Sequence, residues 1–256
     1  MIVVFLCLLC FKGGTTINLH PKNFKPESTS IWSFPDRGSW ATHSSGYRGN
    51  WSPYVPRNLI LRYSNPKDWI LDQFMGSGTT LVEAKLLNRN AVGVDINPQS
   101  VSISETNLDF PCDTNAKIFT KNGNALNLSF IKGNCIDFIC THPPYANIIK
   151  YSEKITGDLS LLDANEFLLE METIAKESYR VLKNRKMCAI MMGDVRRYGK
   201  IIPLGFRVME CFLKAGFKNK EIIIKEQHNC KSSAYWNGQH NHFLLLAHEY
   251  IFVFQK

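Results

Sequence analysis

A loop with two glycines joins an apolar segment to a segment with helical spacing, and this arrangement suits ligand binding. The loop runs from Asp72 to Thr80, the apolar residues Trp69–Leu71 precede it, and the helical pattern continues to Leu87. A strand, a glycine turn and a helix in this order let the backbone pass close to a ligand, because glycine has no Cβ. Thr79 falls in the first helical turn, whose free N–H groups can donate to a ligand. The sequence therefore predicts a ligand site at the end of this strand.

Two further apolar segments end in residues that suit such a site. Asp95 follows the apolar run Ala91–Val94, about 20 residues after the glycine loop, where a carboxylate can accept both hydroxyls of a ribose. The run Ile136–Cys140 leads into Thr-His-Pro-Pro-Tyr, and two successive prolines can continue neither a ladder nor a helix. Because ligands in open α/β sheets gather at the carboxyl edge of the strands, we expect the three segments to share one site.

The motifs DQFMGSGTT, GVDINP and THPPY together resemble those of the DNA amino-methyltransferases, which methylate the exocyclic nitrogen of cytosine or adenine. A dinucleotide oxidoreductase more usually carries three glycines in the loop, and its chemistry has no need of Pro-Pro-Tyr. The resemblance extends to Tyr47–Ile60, similar to the family segment that closes over the cofactor, and to His248–Phe254, similar to the family's last hydrophobic strand. It implies an α/β, Rossmann-like methyltransferase fold, with a mixed seven-stranded sheet and helices on both faces.

The resemblance implies S-adenosyl-L-methionine as the cofactor and no metal. The implied cofactor contacts are Asp72, Phe74, Gly76, Gly78, Thr79, Asp95 and Asn124. The glycine-loop residues are assigned to the methionine side and Asp95 to the ribose. Asn124 matches the position that usually holds an aspartate near the adenine amino group, and its amide oxygen can accept a hydrogen bond as an aspartate does. A simple turn after a strand is the other interpretation of Asn124.

The resemblance places catalysis in the turn His142-Pro143-Pro144-Tyr145. The Pro143 carbonyl and the His142 side chain would accept the two amino hydrogens, and Tyr145 would stack on the flipped base. The family usually carries Ser, Asp or Asn at position 142, but a histidine accepts one hydrogen bond through an unprotonated ring nitrogen. Thr141 matches the threonine that often precedes the turn in cytosine enzymes, so we favour cytosine N4 over adenine N6. An ordinary turn residue is the other interpretation of His142.

Composition and charge narrow the class of protein. The chain of 256 residues is long enough for one full core, and its net charge of +8 favours a polyanionic partner. Of eight cysteines, Cys135, Cys140 and Cys188 fall in apolar strand segments, and no disulfide framework is evident, which favours a reducing compartment, the cytoplasm. The apolar run Ile2–Phe11 is too short to span a bilayer and lacks a basic leader. We interpret it as a buried strand or the result of a start codon placed too early, and expect no membrane partner.

The remaining pattern predicts an N-terminal arm, residues 1–58, and a catalytic domain, residues 59–256, without a separate target-recognition domain. We expect strands near Trp69–Phe74, Ala91–Ile96, Lys117–Thr120, Ile136–Thr141, Met187–Met192, Glu221–Lys225 and Phe243–Phe254. We expect helices near Thr79–Asn88, Pro98–Asn107, Asn165–Leu182 and Pro203–Ala215. Because no separate target-recognition domain is expected, we predict that DNA is contacted by the arm and by three loop segments: Ala146–Ser160, Arg196–Lys200 and Gln227–His242.

The resemblance implies double-stranded DNA as the substrate and a cognate restriction enzyme in a restriction-modification system. Two alternatives stay open: a methyltransferase acting on an RNA base, since some of these enzymes share a Pro-Pro-Tyr turn, and a catalytically silent nucleic-acid-binding protein. A late cluster of polar side chains has a spacing that matches no zinc pattern, so loop contacts near DNA are the favoured interpretation. The cluster consists of His228, Cys230, His240 and His242. In the same loop, Tyr235–Gly238 adds aromatic rings that can stack on bases.

Overall fold

The computed structural model describes residues 9–12, 15–228 and 243–256. In chain order the strands are β1 (Leu9–Lys12), β2 (Thr15–Asn18), β3 (Ile31–Trp32), β4 (Trp69–Asp72), β5 (Asn90–Asp95), β6 (Ile118–Asn122), β7 (Ile136–Thr141), β8 (Leu182–Met192), β9 (Val195–Arg197), β10 (Lys200–Ile202), β11 (Lys218–Glu226) and β12 (His248–Gln255). The α-helices are α1 (Tyr54–Tyr63), α2 (Thr79–Leu86), α3 (Pro98–Leu108), α4 (Ala164–Val181) and α5 (Leu204–Lys214). Single 3₁₀ turns lie at Ala146–Ile148 and Leu159–Leu161.

A mixed sheet of eight strands forms the centre of the molecule, in the order β3-β11-β12-β8-β7-β4-β5-β6. Strand β12 runs antiparallel to both of its neighbours, β11 and β8, while the other pairs are parallel. The predicted Rossmann-like α/β class is thereby confirmed. The additional, eighth strand is β3, a two-residue piece of the N-terminal arm that pairs with the edge strand β11.

Helices cover both faces of the sheet, because successive strand residues point to opposite sides. In β7, Ile139 belongs to the apolar cluster under α4 and α5, and its neighbours Phe138 and Cys140 belong to the cluster under α1 and α2. Cys188 in β8 is buried, as predicted, whereas Cys135 precedes β7 and is only partly buried. Within the described residues, no helix combines the length and the apolar character needed to cross a bilayer.

The structure departs from the predicted boundaries in two informative places. Helix α1 was not expected, because the arm up to about Pro56 is rich in Ser, Gly, Pro, Trp and Tyr and has no clear periodicity. Pro53 is the N-cap of this helix and Pro56 falls in its first turn, where N–H groups have no helical partner anyway. Strand β8 begins at Leu182 rather than Met187, because Leu182 pairs with Ile136 of β7 before an irregularity in the register, after which the pairing resumes at Met187. The division of the chain at residue 58 stays a prediction, and α1 runs across it.

The late polar segments of the sequence are only partly described. Of the histidine and cysteine cluster, Cys230, His240 and His242 lie outside the described residues, as does Tyr235–Gly238. His228 is described, and its Nε2 lies 3.0 Å from the Ser33 hydroxyl. The predicted strand from Phe243 begins instead at His248. At the other end of the chain, the apolar run that begins at Ile2 is described from Leu9, where it forms β1 and pairs with β2.

A fully buried carboxylate fastens the arm to the α/β core. Glu83 of α2 accepts hydrogen bonds of 2.7 Å from the Trp40 indole and His43 Nε2 of the arm. Arg57 of α1 forms an ion pair with the other oxygen of Glu83, also at 2.7 Å. Burial alone would raise the pKa of Glu83, but the hydrogen bond from His43 and the charge of Arg57 outweigh it and hold the pKa below its usual value of 4.5. The carboxylate is therefore ionised at neutral pH.

We predict that Glu83→Ala lowers the free energy of unfolding by about 3–5 kcal/mol, because it leaves the buried Arg57 charge unpaired. Urea unfolding at pH 7 measures this change. Since the folded-state pKa is depressed, the contribution is present above pH 4.5 and is lost as the pH falls below it. Glu172→Ala is the matched control, because Glu172 forms an exposed ion pair with Lys214 and its removal leaves the midpoint unchanged. Equal midpoints for the two variants would contradict the prediction.

Candidate active site

A pocket opens at the carboxyl edge of the parallel strands, and its interior together with its open mouth measures about 790 Å³. Its walls come from the glycine loop after β4, the end of β5, the turn after β7, the arm and the segment that follows the turn. The lining residues are Tyr47, Gly49, Asn50, Trp51, Asp72, Gln73, Phe74, Met75, Gly76, Ser77, Asp95, Ile96, Asn97, Asn124, Ala125, His142, Pro144, Tyr151, Gly157, Asp158 and Leu159.

The structure brings most of the predicted site residues into this pocket. Those that line it are Asp72, Phe74, Gly76, Asp95, Asn124, His142 and Pro144. Four others lie beside the pocket without lining it: Gly78, Thr79, Pro143 and Tyr145. Several lining residues were not singled out from the sequence, among them Tyr151 and Asp158. They lie in Ala146–Ser160, a segment without hydrophobic periodicity that we expected to contact DNA and not to line this pocket.

Asp72 joins the glycine loop to the strand that carries the Pro-Pro-Tyr turn. Its Oδ1 accepts hydrogen bonds from the Thr141 hydroxyl at 2.7 Å and from Phe74 N at 3.1 Å, and its Oδ2 accepts from the Thr80 hydroxyl at 2.5 Å. Burial raises the pKa of Asp72 to about 6, although these hydrogen bonds lower it. Thr141, which suggested a cytosine target, therefore acts in the structure as a buried partner of Asp72.

Asp95 and Asn124 lie at the neighbouring strand ends. Asp95 Oδ2 accepts from Gly76 N and Oδ1 from Asn97 N, both at 2.9 Å, so this carboxylate fixes the glycine loop from the side of β5. Burial raises the pKa of Asp95. Asn124 accepts from Leu126 N through its side-chain oxygen at 2.9 Å, as the turn interpretation predicts, and it also lines the pocket. The turn interpretation therefore describes the observed contact of Asn124, and its contact with the cofactor stays a prediction.

Gly78 and Thr79 hold neighbouring elements together. Gly78 has a φ of +84°, and a Cβ added to it would come within 2.3 Å of the Ser104 hydroxyl oxygen. Because glycine has no Cβ, α2 and α3 can lie close to each other here. The Thr79 hydroxyl donates to Asn50 Oδ1 at 2.5 Å and so ties α2 to the arm. On the other side of the loop, the Tyr47 hydroxyl lies 2.8 Å from the Ser100 hydroxyl of α3. These contacts position the arm as one wall of the pocket.

The pocket has the chemistry of a site for a positively charged ligand. Three of its lining residues are carboxylic acids: Asp72, Asp95 and Asp158. Within the described part of the chain, the lining contains no lysine or arginine. The charge of Asp95 contributes to the raised pKa of Asp72. A bound cation would relieve this repulsion. In addition, the side-chain nitrogen of Gln73 is buried without a hydrogen-bond partner among the described residues, which leaves a donor for a ligand.

A chain of hydrogen bonds runs from the Pro-Pro-Tyr turn to the last strand. The Tyr145 hydroxyl donates to Glu249 Oε1 at 2.6 Å and lies 2.9 Å from His142 Nε2. Lys225 forms an ion pair with the other oxygen of Glu249 at 3.0 Å. Burial opposes ionisation of Glu249, but the charge of Lys225, the proximity of His142 and the hydrogen bonds from Tyr145 and Lys225 together outweigh it and lower the pKa. The sequence analysis did not identify Glu249 or Lys225 as site residues. The available signal was that Glu249 is a single acidic residue at the start of an apolar strand.

The direction of these bonds determines the tautomer of His142. Burial lowers the pKa of His142 to about 4, so the ring is neutral at pH 7. The single proton of the Tyr145 hydroxyl goes to Glu249, and the Tyr145 oxygen can therefore only accept from His142. The imidazole proton then lies on Nε2, and Nδ1 is the unprotonated acceptor. Trp51 of the arm stacks on the same ring at 5.4 Å between centroids and fixes its plane.

Comparison with known proteins places the chain in a family. Residues 14–106 and 136–256 match the family described as DNA methylase. The type II methyltransferase M.MjaII of Methanocaldococcus jannaschii is 40% identical over 62 residues, 24% of this chain and 12% of the relative. M1.MboII of Moraxella bovis is 53% identical over 51 residues (18% and 20%), and M.BglI of Bacillus subtilis is 32% identical over 103 residues (39% and 29%). The chain thus spans less than a third of the length of these curated relatives.

Solved structures agree with the fold. A methyltransferase of Methanosarcina mazei that depends on S-adenosylmethionine superposes with a TM-score of 0.56 at 18% identity, over 77% of this chain and 96% of that one. TrmN of Thermus thermophilus gives a TM-score of 0.56 at 16% identity, over 82% and 50% of the two chains. Because the family match covers most of its residues, the chain belongs to the DNA methylase family, and its cofactor is S-adenosyl-L-methionine.

Proposed function

We propose that the chain methylates the exocyclic amino group of a base flipped out of double-stranded DNA, at a specific site, with cytosine N4 favoured over adenine N6. The observation that carries the proposal is the convergence of two motifs on one pocket. A carboxylate-rich wall that suits a cationic cofactor faces a rigid turn whose histidine has its acceptor nitrogen fixed. Family membership and similarity to type II methyltransferases support DNA as the substrate.

The residues of the pocket fit S-adenosyl-L-methionine. Asp95 would accept the ribose hydroxyls, Asn124 would contact the adenine, and Phe74 and Gly76 would lie along the methionine part, near Asp72. Gly78 and Thr79, predicted as further contacts, would support the loop from behind. When bound, the cofactor supplies an electrophilic methyl group on a sulfonium. The protein then contributes mainly by holding two reactants in line, which can account for several orders of magnitude in rate.

The Pro-Pro-Tyr turn would prepare the amino group. Its nitrogen is a poor nucleophile because the lone pair is delocalised into the base. The Pro143 carbonyl and His142 Nδ1 would accept the two amino hydrogens, which favours a tetrahedral nitrogen and frees the lone pair. As the nitrogen bonds to the methyl group it becomes acidic, and Nδ1 would receive the proton that it loses. Pro144 keeps the turn rigid, and stacking of the base on Tyr145 stays a prediction.

The choice of base rests on position 142 and its neighbour. Thr141 precedes the turn as in cytosine enzymes, whereas His142 replaces both the Ser that tends to accompany cytosine targets and the Asp or Asn favoured by adenine enzymes. A cognate restriction enzyme would cleave the same site, since type II methyltransferases are among the relatives. Adenine N6 is the close alternative. An RNA base methyltransferase and a silent binding protein are less well supported, because neither explains the match to the DNA methylase family together with an intact cofactor pocket.

Binding of S-adenosylmethionine separates an enzyme from a silent protein. We predict binding by isothermal calorimetry, and a loss of affinity of about 100-fold in Asp95→Ala, because a carboxylate accepting two hydroxyls is removed. The matched control is Asp113→Ala, an exposed aspartate outside the pocket, which leaves affinity unchanged. Circular dichroism checks that Asp95→Ala still folds. If the wild-type chain shows no binding, both enzyme interpretations are excluded.

The tautomer of His142 gives a second prediction. In Glu249→Gln the amide can donate to the Tyr145 oxygen, which lets the Tyr145 proton turn toward His142 Nε2 and moves the imidazole proton to Nδ1. We expect kcat to fall about 10- to 100-fold with an unchanged KM for the cofactor. Turnover of the wild type falls as the pH is lowered toward 4, because protonation of Nδ1 removes the acceptor.

The nitrogen NMR shifts of His142 report the tautomer directly. The wild type should show the proton on Nε2, and Glu249→Gln a mixture of both forms. Lys225→Arg is the control, since it keeps the charge beside Glu249 and should keep both the tautomer and kcat. A wild-type ring with its proton on Nδ1 would contradict the assigned direction of the hydrogen bonds.

The target base is measured by mass spectrometry of nucleosides from DNA of a host that expresses the chain. We expect N4-methylcytosine. N6-methyladenine alone would correct the base and leave the mechanism standing, because both reactions use an exocyclic amino group. Methylated bases in RNA with none in DNA would refute the proposed substrate. If the DNA carries the modified base, sequencing of that DNA gives the recognition site.

A further inference from the structure

A short hairpin leaves the sheet beside the candidate active site. Strands β9 and β10 pair only with each other and form a separate two-stranded sheet. An isolated hairpin of this kind is marginally stable in water, so it must be fixed at its base. Val195 provides part of that anchor, since it is buried in the main core. Arg196 provides another, because its guanidinium lies over the Phe243 ring at 4.8 Å and donates to the Leu244 carbonyl at 2.9 Å.

The tip end of the hairpin is attached to the segment that follows the Pro-Pro-Tyr turn. Arg197 donates to the carbonyl of Asn147 at 3.2 Å and to its side-chain oxygen, and Asn147 lies two residues beyond Tyr145. Just before the hairpin, a Cβ added to Gly193 would come within 2.9 Å of the Tyr145 ring, so the two segments are in close contact. A molecule bound at the tip of the hairpin is therefore held at a fixed distance from the Pro-Pro-Tyr turn.

The tip is built in a way that folding does not favour. Arg197 pairs with Lys200, so Tyr198 and Gly199 form a two-residue turn, and their φ angles are +48° and +75°. Positive φ at both positions defines a turn that prefers Asn-Gly, because a large side chain is strained there. The Tyr198 side chain is fully exposed, so burial does not offset that strain. An aromatic ring with a conformational cost and no packing benefit indicates a role outside folding.

The charge of the hairpin matches a phosphate backbone. Residues 195–202 contain Arg196, Arg197 and Lys200 and no acidic residue. Three cations around one exposed aromatic ring combine the two groups that bind nucleic acids, electrostatic contacts to phosphates and stacking on bases.

We propose that this hairpin enters duplex DNA at the target site, with Tyr198 occupying the space that the flipped base leaves in the stack. The inference rests on the proposed function and adds to it the element that opens the duplex. The cations contact phosphates on either side, and the link from Arg197 to Asn147 sets the distance between the vacated space and the catalytic turn. Extrusion of a base exposes its stacked neighbours, and the Tyr198 ring replaces the lost stacking.

The test uses two short duplexes carrying the recognition site found in the host's DNA. One is fully paired, and in the other the nucleotide opposite the target is abasic, so the target base is already unpaired. The main variant is Tyr198→Asn, because asparagine suits the left-handed turn and should raise Tm by about 1–3 °C. Tyr198→Phe is the matched control that keeps the ring and loses only the hydroxyl.

We expect Tyr198→Asn to lower kcat/KM about 10- to 100-fold on the paired duplex and about twofold or less on the abasic one. Tyr198→Phe should match the wild type on both. Lys200→Ala should reduce the slope of log affinity against log salt by about one. Equal losses on the two duplexes, or no loss with Tyr198→Asn, would overturn the inference and leave the proposed function intact. A wild type that methylates neither duplex, or only a single-stranded RNA copy, would refute the proposed function itself.

Discussion

The carboxylate of Asp72 holds together the two halves of the site, since it accepts from Thr80 and Phe74 of the glycine loop and from Thr141 next to the Pro-Pro-Tyr turn. Its burial is unfavourable to the ionised form, which is why its pKa rises to about 6. At neutral pH the folded chain therefore holds a carboxylate that a nearby positive charge would stabilise, so binding of a cationic cofactor and ionisation of Asp72 favour each other. The group that positions the loop also tunes the pocket for its ligand.

The arm depends on a second buried carboxylate and in turn completes the pocket. Glu83 draws Trp40, His43 and Arg57 onto α2, and the short segment between His43 and Arg57 then has little freedom. It includes Trp51, which stacks on His142, so the arm contacts the Pro-Pro-Tyr turn as well as the glycine-loop wall of the pocket. Stability and site geometry share these contacts. The arm is for this reason part of the candidate site and also a pairing partner of the sheet through β3.

Local signals in the sequence were sufficient for most of the fold and for the chemical outline of the site. Apolar runs located the strands of the sheet, and glycine or proline pairs marked where β4 and β7 end. Helix α1 was missed because the arm has no clear periodicity, although the first turn of a helix tolerates its prolines. Gly78 was assigned to the cofactor by its motif, while its tertiary neighbour Ser104 explains the glycine. The pairing of Tyr145 with Glu249 spans over a hundred residues, and no local pattern carries such information.

That long-range pairing follows from the topology of the sheet. Because β12 runs antiparallel between β8 and β11, its first residues lie at the edge where the parallel strands end. Glu249 is thereby brought level with the end of β8, where Gly193 leaves room for the Tyr145 ring, and directly opposite Lys225 on β11. A short acceptor such as serine at position 142 needs no such support, whereas a histidine has two neutral tautomers and needs one selected. Glu249 on the antiparallel last strand supplies the negative charge that, through Tyr145, selects the tautomer of His142. The presence of histidine at position 142, where the family pattern has Ser, Asp or Asn, is therefore explained together with Glu249.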